Sequence, residues 1–186
     1  MYAILNFRIT GVVPLILHNG RLADPLDPHT KSLAEITGKR KKTDADHREA
    51  AKREWYGSLY LFNGEPCIPF QMWEAMLIEG SKKFKRGPAA KAGLIIEAHS
   101  AIQYDGPRAP DELWADERFR LRVGAKVGTS RVMRTRPFFT DWSADVEVKY
   151  LPDLLNPPEI GNFLSAAGMQ VGLGDWRPRF GRFTVN

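Results

Sequence analysis

Residues 2–10 alternate loosely between apolar and polar side chains and are rich in residues that suit a pleated, half-buried surface, which predicts a first strand. The apolar stretch 12–17 extends it, with Pro14 marking an edge or a bulge because proline cannot donate to a ladder. "HNGRLADPLDP" holds an Asn-Gly and two Asp-Pro steps and reads as loop. Residues 28–36 open on proline and stop before Gly38, the punctuation of a short helix. A polar helix follows, from an N-cap at Thr43 or Asp44 to Tyr56, with acids in its first turn. Residues 58–62 predict a short strand turned back by "NGE". The clearest helix lies in "CIPFQMWEAMLIEGSKKFKRG", where Met72, Trp73, Met76, Leu77 and Gly80 fall at helical spacing and predict a core-facing stripe. Residues 93–98, 101–104, 119–123, 132–139 and 144–151 read as strands, with "VGAKVGTSRV" as a hairpin tip. Asn156 caps a last helix with Ile160, Phe163, Leu164 and Ala167 on one face, and residues 179–185 read as a closing strand.

This order predicts an α+β domain, with helices on one face of a mainly antiparallel sheet. The simplest topology that accommodates it is a modified ferredoxin-like (RRM-like) arrangement, the split βαβ. Residues 1–186 then form a single domain, and the helical segment at about 20–57 is an insertion into it.

Composition narrows the class. The chain has 186 residues, 43% of them hydrophobic, enough for one real core. Its longest apolar runs are far below a membrane span, and "MYAILNFRIT" has no basic region ahead of an apolar one, so neither a span nor a signal peptide is expected. A single cysteine, Cys67, excludes an internal disulfide and suits a reducing, cytoplasmic setting. Charge is uneven. Residues 1–117 balance 16 Lys/Arg against 16 Asp/Glu, whereas residues 118–186 carry 11 against 6, the whole net excess of +5. Such a localised excess suggests a polyanionic partner.

Enzyme signatures are missing. There is no P-loop, G-x-S-x-G, H-E-x-x-H or CxxC, and "GLGDWRPRFG" precedes a strand, so a dinucleotide reading fails. His18, His29, His47 and His99 are scattered, with no metal-ligand spacing, and no cofactor is expected. Asp24 and Asp27 form a carboxylate pair, but each precedes a proline, which is ordinary turn chemistry. The basic constellation is stronger. Residues 118–136 contain Arg118, Arg120, Arg122, Lys126, Arg131, Arg134 and Arg136 and no acid. In a strand, Arg118, Arg120 and Arg122 would share one face, repelling each other unless an anion lies over them or acids from neighbouring strands partner them. The run Lys39–Lys42 is either a flexible loop or a phosphate contact. In "VGLGDWRPRFGRFTVN", Gly172 and Gly174 permit positive φ or a close backbone approach, Arg177, Arg179 and Arg182 supply charge, and Trp176 and Phe180 supply stacking surfaces.

That last stretch, following a helix, resembles the C-terminal glycine-rich loop of the RAMP superfamily, the repeat-associated proteins of CRISPR systems. Gly172, Gly174, Gly181 and Phe183 stand at the matching places, and Ile68 and Pro69 resemble the segment that opens the central helix in RAMP backbone subunits. "FQMW" departs from the small, hydroxylated helix start usual there, and "DWRPRF" from a shorter loop. The chain looks like a stand-alone phage or prophage relative. The resemblance implies a ferredoxin-like, RNA-binding domain, and many members polymerise along a guide. The expectation is therefore non-catalytic binding of RNA or single-stranded DNA through an arginine-rich sheet face and the C-terminal loop, with self-association or other protein subunits as further partners and no membrane. The alternatives are a protein-interaction module of phage origin, and a metal-independent ribonuclease using a histidine or Asp24/Asp27.

Overall fold

The computed structural model describes all of residues 1–186. In chain order its elements are β1 (Ala3–Gly11), β2 (Leu15–Ile16), α1 (Pro28–Thr37), α2 (Asp44–Ser58), β3 (Leu61–Phe62), β4 (Glu65–Ile68), α3 (Phe70–Lys82), α4 (Gly87–Gly93), β5 (Leu94–Ile95), β6 (Ser100–Ala101), α5 (Pro110–Ala115), β7 (Arg120–Val127), β8 (Ser130–Phe139), β9 (Ser143–Tyr150), α6 (Pro157–Gln170) and β10 (Phe183–Val185). This is an α+β fold.

The largest sheet grows from the alternation in β1. Ala3, Leu5, Phe7 and Ile9 point inward, and Ile4, Asn6, Arg8 and Thr10 are exposed. β9 pairs with β1 from Ala3 opposite Tyr150 to Thr10 opposite Ser143, and buries Ala144, Val146 and Val148 on the same inner face. β10 flanks β1 and β5 flanks β9, so the order is β10-β1-β9-β5 with every pair antiparallel. Helices α3 and α6 bring the matching apolar stripes. Trp73, Met76 and Leu77 of α3 and Ile160, Phe163, Leu164 and Ala167 of α6 are buried. Phe183 of β10 sits between the edges of Trp73 (6.2 Å) and Trp142 (6.3 Å). A reciprocal capping box between Asn156 and Glu159 starts α6. The opposite face of this sheet is open. It carries Arg8 paired with Asp145 at 2.7 Å, and Lys149 paired with Glu97.

The chain leaves the first sheet at Pro14. β2 instead pairs with the base of β8, Leu15 opposite Phe139, giving a second sheet ordered β2-β8-β7. β7 and β8 form a long hairpin closed by the two residues Gly128 and Thr129, with Gly128 at φ 60° as such turns require. A third small sheet has the order β3-β4-β6. Helices α1 and α2 pack together, and α2 lies along β8. Thr43 caps α2 reciprocally with Asp46, and Trp55 is fully buried, its Nε1–H donating to the Phe119 carbonyl at 2.9 Å. That bond ties α2 to the root of the hairpin. No helix is long and apolar enough to cross a membrane. Cys67 is a buried free thiol, pushed up to about 11 by burial, which leaves little thiolate.

Candidate nucleic-acid interface

The seven basic residues expected on one surface separate into distinct environments. Arg118 is not in a strand: it lies in a 3-10 turn (Glu117–Phe119), and its guanidinium is held by the Asp116 carboxylate at 2.7 Å. Arg120 begins β7 but stacks on Trp114, 4.6 Å from the ring centroid, and reaches Glu117 at 3.3 Å. Arg136 is buried, 5% exposed, and donates to Glu54 at 2.7 Å and Asp175 at 3.2 Å. Arg134 donates to the same Glu54 carboxylate at 3.2 Å from a position still open to solvent. The expected strand face thus keeps only Arg122, Lys126 and Arg131 exposed and without an acidic partner. Lys126 stands directly opposite Arg131, and Arg122 shares their face of the hairpin. Like charges directly opposite across a ladder destabilise it unless an anion intervenes. These arginines lie on a separate hairpin and not on the four-stranded sheet, whose open face is mixed in charge.

Glu54 explains how that hairpin is placed. Its carboxylate accepts from Arg134, Arg136 and the Thr135 backbone N–H (2.9 Å), on the edge of β8 that β7 leaves unpaired. The helix α2 is thereby fixed beside the strand. Between them runs a groove of about 650 Å³. Lys42, His47, Arg122, Arg131 and Arg134 line it together with the apolar side chains of Leu33, Val132 and Met133. Glu54 is the single carboxylate in the lining and is already engaged. The run Lys39–Lys42 therefore reaches this groove at Lys42, while Lys39 pairs with Asp46 at 2.5 Å. Sequence patterning had no means of joining Lys42 and His47 to the hairpin, because the contact spans some eighty residues of chain.

The C-terminal loop packs at the base of the same hairpin. Phe180 meets Phe138 edge-on at 6.5 Å, and the Arg136 guanidinium lies 6.0 Å from the Trp176 ring. Gly172 and Gly174 both sit at φ 76°. A Cβ on Gly174 would fall 2.1 Å from the Ile16 carbonyl oxygen, and one on Gly172 would fall 2.9 Å from that of Phe180. The close approach these glycines permit is made to the protein's own backbone. Trp176 is half-buried with φ 49°, a left-handed conformation that non-glycine residues rarely adopt. Arg177 and Arg179 are exposed. Arg182 is half-buried, and its carbonyl accepts from the Val12 N–H at 2.8 Å.

The candidate catalytic groups have structural uses. Asp24 accepts from the Leu26 N–H (2.9 Å), and Asp27 caps α1 by accepting from the His29 N–H (2.8 Å). No three His, Cys, Asp or Glu side chains are grouped to hold a metal ion. His18 lies near the Glu54–Arg136–Asp175 cluster. Its pKa is lowered, first because neighbouring protein strips water from part of the ring, then by the Arg136 charge. No protein-family model matches the chain, and no curated protein matches its sequence.

Proposed function

We propose that the protein is a non-catalytic binder of single-stranded nucleic acid, RNA or DNA, which it holds by its phosphates in the groove between α2 and the β7–β8 hairpin. One observation carries this reading. Three cations without an acidic partner, Lys42, Arg122 and Arg131, line an open groove whose only carboxylate, Glu54, is already bonded to Arg134, Arg136 and backbone. Arginine binds phosphate bidentately and stacks on bases, and the apolar lining suits an unstacked base. Arg177, Arg179 and the half-buried Trp176 extend the basic surface beyond the base of the hairpin. Arg136, Gly172 and Gly174 serve by holding the frame. The order β10-β1-β9-β5, with α3 between β1 and β5 in the chain and α6 between β9 and β10, supports a ferredoxin-like core and a kinship with RAMP proteins, in a phage or prophage relative.

Fluorescence anisotropy with labelled RNA and DNA oligonucleotides at two salt concentrations tests this. Log K should fall by roughly 0.7 per log unit of salt for each phosphate neutralised. The absence of binding at low salt and micromolar protein would remove the proposal. A protein-interaction role is the second reading, favoured by Val127, Val132 and Met133, which are exposed on the same hairpin.

A further inference from the structure

A second basic concavity lies where α3 gives way to α4. It encloses about 660 Å³ and is lined by Ile78, Lys82, Lys85, Gly87, Pro88 and Lys91, with no acid among them. Lys83 projects from the same turn. Lys82 is paired with Glu79, and the neighbouring Arg86 with Glu159 at 3.0 Å. Lys83, Lys85 and Lys91 are exposed and make no ion pair. Lys85 also occupies φ 60°, at a helix end where glycine is the usual residue.

This site shares no lining residue with the arginine groove. The Gly174 N–H of the C-terminal loop contacts Met72 Sδ at the start of α3, at 3.3 Å. Lys82 ends that helix ten residues later, about 15 Å further along its axis at 1.5 Å per residue. We infer that the α3–α4 corner is a second, independent site for a nucleic-acid phosphate backbone, so that one chain holds two strand segments at once. Two unpaired ammonium groups in the concavity, Lys85 and Lys91, with Lys83 exposed beside it, follow a flexible, multiply charged strand, each neutralising one phosphate as a point charge. A membrane surface fits less well, because the lining offers a single large apolar side chain, the half-buried Ile78, and Phe84, although 46% exposed, keeps its ring against Phe163 at 5.6 Å.

The inference stands on its own residues and is tested apart from the groove. Titration with a labelled oligonucleotide of about ten nucleotides, followed by sedimentation, should give two bound per chain. Arg122→Ala with Arg131→Ala should leave one. Adding Lys83→Ala, Lys85→Ala and Lys91→Ala should leave none, with the circular dichroism spectrum unchanged. The lysine triple alone should likewise leave one, bound with the salt slope of the groove. Lys85→Gly should raise the melting temperature while weakening binding at this site. One oligonucleotide per parent chain would overturn the inference, as would a lysine triple that keeps the parental stoichiometry. Equally, phosphatidylserine vesicles bound by the parent and lost in the lysine triple, with the oligonucleotide stoichiometry intact, would assign the corner to a lipid surface instead.

Discussion

Glu54 is the residue on which the candidate site turns. Removing one member of a buried ion pair strands the other, and Arg136 has only the partly exposed Asp175 in reserve. Glu54→Ala should therefore cost about 3–5 kcal/mol in urea denaturation, far more than the deletion of an exposed charge. Gly174→Val combines a strained φ with a collision against the Ile16 carbonyl, and should be destabilising by at least about 1–3 kcal/mol in the same measurement. His18 gives the pH dependence. Its folded pKa lies below the ordinary 6.5, so the unfolded chain takes the proton first. The stabilisation it contributes is complete above pH 6.5 and is lost as pH falls through 6.5 towards the lowered folded value. Thermal melts at stepped pH should show this loss in the parent and a shallower one in His18→Gln.

Among the elements, the β7–β8 hairpin is the one that separates folding from binding. Arg122 and Arg131 are exposed and unpaired, so the double alanine variant should melt with the parent while the groove loses its oligonucleotide in the sedimentation titration. Trp73→Ala should do the reverse, costing about 3–5 kcal/mol because the side chain is fully buried against Phe183. These elements were readable beforehand for definite reasons. Period-two alternation and the Gly-Thr turn marked the hairpin, Thr43 and Asn156 marked helix starts, and the Met/Trp stripe marked α3. The strands β2, β3, β5 and β6 have two residues each, too few for any period to show. Helices α4 and α5 run only seven and six residues, too short for a helical period to show. The site was only half legible. The arginines were conspicuous, but nothing in residues 118–136 indicates that Glu54 and Asp175 neutralise Arg136, or that Asp116 holds Arg118. The Arg136 pairings depend on tertiary contacts that no local pattern encodes, whereas Asp116 stands two residues before Arg118, just outside the acid-free run.

Over the whole molecule, charge is not spread with the net value. The open face of the four-stranded sheet is laced with opposite charges, whereas the hairpin groove and the α3–α4 corner concentrate cations. Affinity for polyanions should consequently be steep in salt even though the net charge is modest, and a duplex that hides its bases should bind more weakly than a single strand in competition titrations.

The Thr135 N–H faces away from β7 and finds its acceptor in a side chain carried by a distant helix. Its rate of exchange with deuterium therefore reports one event, the departure of α2 from the hairpin. In the intact protein this amide should be protected like the core. In Glu54→Gln, which keeps an acceptor oxygen but loses the charge that draws the arginines, it should exchange faster than its ladder-bonded neighbours. A single amide signal then times the opening of the groove.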